Sequence, residues 1–176
     1  MAKVSIIGTG TWGIALGMVL AQNGHEVTAW SALPKEIEAL RESYTCKNLP
    51  GVEIPRSIVF TADLQEACTD KEMLVLSVPS VFTRGVAKQM NPFVKEGQLI
   101  VSVAKGIEEK TLMTMSQQIE EELPMANVAV LSGPSHAEEV SRGIPTTVVA
   151  GAKDRQTAEH IQNLFMSSVF RVYTSP

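Results

Sequence analysis

Cysteine is nearly absent: Cys46 and Cys68 are the only two in 176 residues. Two widely spaced thiols cannot make a disulfide framework, and neither sits in a C-x-x-C pair or beside a histidine. Reduced thiols and no metal site are therefore expected. Charge of one sign is also lacking, with 15 Lys and Arg against 19 Asp and Glu and a net charge of −4. No run of five basic residues occurs, so the electrostatic footprint of a nucleic-acid binder is missing. No apolar run reaches the roughly 18 residues of a membrane span. Lys3 followed by an apolar stretch imitates a signal peptide, but Gly8, Gly10, Gly13 and Gly17 break that stretch before Gln22 and Asn23. A cytoplasmic protein is the default expectation. What is there is ordinary: 44% hydrophobic and 19% charged residues, enough for a core and for one domain over 1–176.

Along the chain, short β-rich runs alternate with helical patterns. Strands are expected over Val4–Ile7, Glu26–Trp30, Ile58–Phe60, Met73–Val78, Leu99–Val103, Val128–Leu131, Thr146–Ala150 and Phe170–Tyr173. Helices are expected over Ile14–Asn23, Pro34–Ser43, from Asp63, from Pro79 to Met90, over Lys110–Leu123, His136–Arg142 and Asp154–Met166. Met73–Val78 is apolar throughout, as a parallel strand covered on both faces must be. This alternation predicts an α/β fold, a doubly wound and mostly parallel Rossmann-type sheet with right-handed crossovers.

The first turn carries Gly8-x-Gly10-x-x-Gly13 between a β-branched strand and an apolar helix. In that context Gly8 permits the tight turn, Gly10 lets a pyrophosphate reach the backbone, and Gly13 lets helix and sheet approach. The helix start supplies free N–H groups and partial positive charge for the phosphates. The competing reading is a glycine-rich turn with no ligand. The acidic residue usual about 20 positions later is missing: the second strand ends Thr28-Ala-Trp30-Ser31-Ala32, with Glu26 too early and Glu36 late. NAD and NADP both stay open as cofactors. Ser31 is a candidate hydrogen-bond donor to either, and Trp30 either packs beside adenine or is a core aromatic.

Ligands of doubly wound sheets lie beyond the carboxyl ends of the strands. There the later strands place Val78-Pro79-Ser80, Ala104-Lys105-Gly106 and Ser132-Gly133-Pro134-Ser135. Lys105 directly follows a buried strand, so its ammonium is aimed either at the crevice, to bind phosphate or polarise a carbonyl, or at solvent from a surface loop. Ser135 either caps the next helix or presents its hydroxyl to substrate. His25 follows the Gly24 stop and is expected to decorate a turn, and His136 lacks an Asp partner nearby, so no Ser-His-Asp triad is expected.

Gly-Thr-Gly-Thr-Trp-Gly at 8–13, Asn23-Gly-His-Glu-Val27, Leu76-Ser-Val-Pro-Ser80, Ala104-Lys-Gly-Ile-Glu108, Ser132-Gly-Pro-Ser135 with Ala137 and Glu139, and Phe170-Arg-Val-Tyr173 occur in order. Together they resemble the NAD(P)-dependent glycerol-3-phosphate dehydrogenases over essentially the whole chain. The resemblance implies hydride transfer between dihydroxyacetone phosphate and sn-glycerol 3-phosphate, feeding glycerophospholipid synthesis, in a cytoplasmic homodimer. It implies that Gly8 to Gly13, with Thr11 and Trp12, hold the dinucleotide, that Pro79 and Phe82 lie near the nicotinamide, and that Lys105 touches both cofactor and substrate. Gly133 and Ser135 fall in the substrate site and Ala137 in the cofactor site. His136 departs from the family's aromatic residue. The family continues into an all-helical domain with a second lysine as proton donor and an Asn-Arg pair for the substrate phosphate. None of these lies before Pro176, so the sequence reads as an N-terminal piece that binds cofactor without turnover. The alternatives are another two-domain NAD(P) reductase, acting on hydroxy acids or imines, and a stand-alone nucleotide-sensing module.

Overall fold

A computed structural model describes residues 1–175; Pro176, the last residue of the expected domain, lies outside the described residues. The strands are β1 (Lys3–Ile7), β2 (Glu26–Trp30), β3 (Val59–Thr61), β4 (Met73–Leu76), β5 (Leu99–Ser102), β6 (Asn127–Ser132), β7 (Thr146–Gly151) and β8 (Phe170–Ser175). The helices are α1 (Thr11–Gln22), α2 (Pro34–Ser43), α3 (Leu64–Cys68), α4 (Thr83–Met90), α5 (Met115–Glu122), α6 (Ala137–Ser141) and α7 (Arg155–Phe165). The eight strands form one sheet in the order β3-β2-β1-β4-β5-β6-β7-β8. All pairs from β3 to β6 are parallel; β7 runs antiparallel to β6 and parallel to β8. This is the mostly parallel, doubly wound Rossmann-type sheet that the alternation implies.

Neighbouring residues of a strand point to opposite faces, and the two cores divide accordingly. Ile6, Val75 and Val101 face one layer, with Ile14 and Leu20 of α1, Ile37 and Leu40 of α2, Val140 of α6 and Phe165 of α7. Ile7, Leu74, Leu76 and Ile100 face the other, with Ala67 of α3, Met90 of α4 and Ile119 of α5. Each fully buried Leu, Ile or Phe contributes about 1.5–3 kcal/mol of transfer free energy, so burial on both faces explains why the central strands tolerate no polar alternation.

Three local expectations are corrected. The helix expected over Lys110–Leu123 begins only at Met115. Upstream, Leu112 has φ 60° and Ile107 bridges Thr114, so residues 107–114 form a closed turn. Thr114 then caps α5 reciprocally with Gln117, which removes the reason to extend the helix backwards. The helix expected from Pro79 opens instead as a 3-10 turn over Ser80–Phe82 before α4. The third strand lies one residue later than expected, at Val59–Thr61. Asp63 does cap α3, accepting from the N–H groups of Gln65 and Glu66.

His25 is a bracing residue: Nδ1 accepts from the Ala2 N–H at 3.2 Å while Nε2 donates to the Leu164 carbonyl at 3.1 Å. With Asn23, which also donates to Leu164, it ties the end of α1 to the end of α7. Among the described residues no helix is long and apolar enough to cross a membrane.

Candidate functional site

The chain order places the topological switch between β1 and β4, since β2 and β3 build outwards on one side and β5 and β6 on the other. A crevice at the carboxyl ends of the strands must open there. Two clefts are found, and they share Gly10, Val78 and Pro79. One, of about 560 Å³, runs over β2 past Trp30, Ser31 and Glu36 to Phe82. The other, of about 430 Å³, runs over β5 and β6 past Thr11, Trp12 and Lys105 to Ser135 and Ala137.

The junction is built by the three glycines in different ways. Gly8 has φ 119°, and a side chain on it would lie 2.9 Å from the Val78 nitrogen. Gly13 sits so deep that a Cβ would lie 2.3 Å from the Gly8 carbonyl oxygen. That close approach seats α1 on β1, and Ser77 reinforces it by donating from Oγ to the Gly8 carbonyl at 2.9 Å. At Gly10 nothing lies within 4 Å of the position a Cβ would take. The backbone at Gly10 is therefore bare towards the crevice. Gly10 is also the N-cap of α1 and offers no side chain to the helix. The first N–H groups of α1 consequently lack intrahelical acceptors and face the crevice with the positive end of the dipole. Two buried polar atoms nearby, Thr9 Oγ1 and Trp12 Nε1, have no hydrogen-bond partner. Buried polar groups are ordinarily satisfied, so a bare cradle with orphaned donors fits an anionic, hydrogen-bonding ligand such as a dinucleotide.

In the lysine-side cleft Lys105 is held from the end of β5 and donates from Nζ to the Gly133 carbonyl at 3.0 Å. Gly133 itself lies behind the wall: a Cβ there would be 2.8 Å from the Thr147 carbonyl oxygen. Its role in the fold is to let the β6 exit pass against β7. Ser135 is buried, and its Oγ approaches the Gly133 carbonyl at 3.4 Å. It does not cap α6, whose N-cap is His136. His136 lines this cleft too.

The turn that follows Lys105 is anchored electrostatically. Arg84 of α4 reaches Glu108 at 2.8 Å, Glu121 at 2.6 Å and Glu122 at 2.9 Å. The guanidinium bonds to Glu108, with a further hydrogen bond from Thr111, hold that carboxyl at about 2. The same carboxylates push the Arg84 guanidinium up.

The structure thus gathers Gly10, Thr11, Trp12, Pro79, Lys105, Ser135 and Ala137 around one cleft, and Gly8, Gly10, Trp30, Ser31, Pro79 and Phe82 around the other. Gly13 and Gly133 support the walls without lining them. Phe82 lines the cleft that also holds Trp30, close to the Pro79 that both clefts share. Trp30 is a buried core aromatic whose indole donates to the Ala62 carbonyl at 3.2 Å, and it also contributes to the wall. The Ser31 hydroxyl hydrogen is engaged by Glu36 at 2.7 Å. Glu36 is the lining residue the sequence reading set aside. Its signal was present in Ser31-x-x-Pro34-x-Glu36, where proline starts a helix and returns the third helical residue towards the strand end.

Residues 3–158 match the family model described as NAD-dependent glycerol-3-phosphate dehydrogenase N-terminus. The chain belongs to this family. It is 60% identical to glycerol-3-phosphate dehydrogenase [NAD(P)+] of Agathobacter rectalis, over 100% of this chain and 53% of that protein. It is 51% identical to the enzyme of the same name from Fusobacterium nucleatum, over 100% of this chain and 53% of that protein. The crystal structure of glycerol-3-phosphate dehydrogenase from Coxiella burnetii superposes with a TM-score of 0.92 at 27% identity, covering 99% of this chain and 54% of that one. The chain therefore spans about half the length of the curated relatives it matches.

Proposed function

We propose that this chain captures a nicotinamide dinucleotide for a dehydrogenase that interconverts dihydroxyacetone phosphate and sn-glycerol 3-phosphate. The observation that carries the reading is the meeting of two clefts at Gly10, in front of the unpaired amides of α1. A dinucleotide has two nucleoside halves joined by a pyrophosphate, and the site has two lobes joined at an anion-binding helix start. The lobe over β2 is the adenosine side by the position of the second strand; the lobe with Lys105 is then the nicotinamide side. When bound, the nicotinamide supplies or accepts the hydride.

The chain's own residues do the rest. The Gly10–Gly13 amides neutralise the pyrophosphate, and Pro79 and Ala137 give the lysine-side lobe apolar walls that exclude water. Lys105, held at 3.0 Å from the Gly133 carbonyl, places a positive charge where a carbonyl oxygen gains negative charge during reduction. Ser135 supplies a hydroxyl on the same side. The family resemblance leaves proton donation and the grip on the substrate phosphate to the other half of the relatives' length. Homodimerisation and a cytoplasmic setting belong to the same reading.

Calorimetric titration of the chain with NADH and NADPH tests it. Saturable one-to-one binding of at least one dinucleotide, without measurable reduction of dihydroxyacetone phosphate by the chain alone, is expected. Failure of both dinucleotides to bind would sink the reading.

A further inference from the structure

The names of the relatives cover both cofactors, and the residue that ordinarily decides between them is absent from the end of β2. The fold supplies a substitute. α2 starts at Pro34 in its N1 position, immediately after the strand-end loop. Glu36, at the third helical position, is thereby turned back over that loop. Ser31 fixes it there: its Oγ accepts from the Leu33 N–H at 3.2 Å and donates to Glu36 Oε2 at 2.7 Å. With one oxygen held, the other, Oε1, has no partner among the described residues, and the side chain lines the adenosine-side cleft.

The charge balance of that cleft points the same way. Of the fifteen residues lining it, Glu36 alone is ionisable; no Lys or Arg is among them. Lys35, next to Glu36 on α2, does not line the cleft, and Arg41 donates to the Phe60 carbonyl at 2.6 Å and 3.0 Å from two nitrogens. A 2′-phosphate needs a cation, whereas a ribose diol needs an acceptor. The cleft is lined by an acceptor that carries negative charge and by no cationic side chain.

We propose that Glu36, oriented by Ser31, is the specificity-determining residue of this site, and that the chain selects NAD(H) over the 2′-phosphorylated NADP(H). This assignment rests on the dinucleotide reading above and adds the choice between the two cofactors. The carboxylate accepts from the ribose hydroxyls of the first and repels the phosphate of the second. Only four residues separate Ser31 and Glu36, so the pair takes the place of the single acidic residue expected at the strand end.

Separate titrations of the native chain with NADH and NADPH, repeated on Glu36→Gln and Glu36→Arg, test the assignment. The native chain is expected to bind NADH at least about tenfold more tightly, the scale of one hydrogen bond to a charged group. Glu36→Gln should bring the two affinities together. Glu36→Arg should bind NADPH more tightly than the native chain does, a gain that a misfolded variant cannot produce. Equal native affinities, or variants that shift both dinucleotides by the same factor, would overturn the assignment while leaving the dinucleotide site standing. A native chain that binds neither would overturn the site itself, and the assignment with it.

Discussion

Alanine at three glycines of one helix region should have three different consequences. At Gly13 the new Cβ would sit 2.3 Å from the Gly8 carbonyl oxygen and 2.5 Å from Ser77 Oγ. Ser77 can rotate, but the carbonyl is backbone, and it is roughly 1 Å too near for an ordinary contact. Relief requires α1 to lift from β1. Overpacking of this kind costs about 1–3 kcal/mol, and an unyielding backbone contact belongs at the upper end. Replacing a helical glycine returns less than about 1 kcal/mol. The net loss is about 2 kcal/mol, which lowers Tm by about 4–8 °C in a domain of this size. At Gly17 the nearest atoms are 3.4–3.8 Å away, so only the propensity gain remains and Tm should hold or rise by about 2–4 °C.

At Gly10 the Cβ meets nothing, and the backbone at φ −64°, ψ 170° suits any L-residue. Stability should stay within about 0.5 kcal/mol of native. The methyl group, however, occupies the bare surface in front of the helix amides. Losing close approach to those charge-assisted bonds should weaken NADH binding by about a hundredfold. Thermal unfolding followed by circular dichroism, with NADH titration of each folded variant, separates the effects. Native-like binding by Gly10→Ala would refute the placement of the pyrophosphate, and an undiminished Tm for Gly13→Ala would refute the packing.

Two further outcomes are expected. Glu108 is held at about 2, below its ordinary 4.5, first by Arg84 and then by Thr111. A depressed carboxyl contributes stability that is complete above the ordinary value and lost as pH falls towards the folded one. Arg84→Gln should therefore flatten the decline in stability between pH 4.5 and about 2, measured by urea denaturation across that range; an unchanged slope would refute the linkage. Burial pushes the Cys68 thiol up to about 12, with nearby Lys71 opposing, while Cys46 is only partly buried. A disulfide-exchange reagent should label one thiol per native chain, at Cys46, and two after unfolding; rapid labelling of Cys68 in the folded chain would contradict its burial.

The sequence alone determined the sheet and the glycine-rich turn into α1. Period-two and unbroken apolar runs mark strands, glycine spacing marks the turn, and both are local signals that survive whatever the rest of the chain does. The position of Lys105 after a buried strand was legible for the same reason. Tertiary structure decided what depends on separated segments meeting. α5 starts late because residues 107–114 close into a turn bridged from Ile107 to Thr114, and Arg84, from another helix, ties that turn down through Glu108. Glu36 was set aside on spacing, yet Pro34 and Ser31 return it to the end of β2. Distance along the chain is a poor guide to distance in space wherever a helix start folds its first turn back over the strand that leads into it.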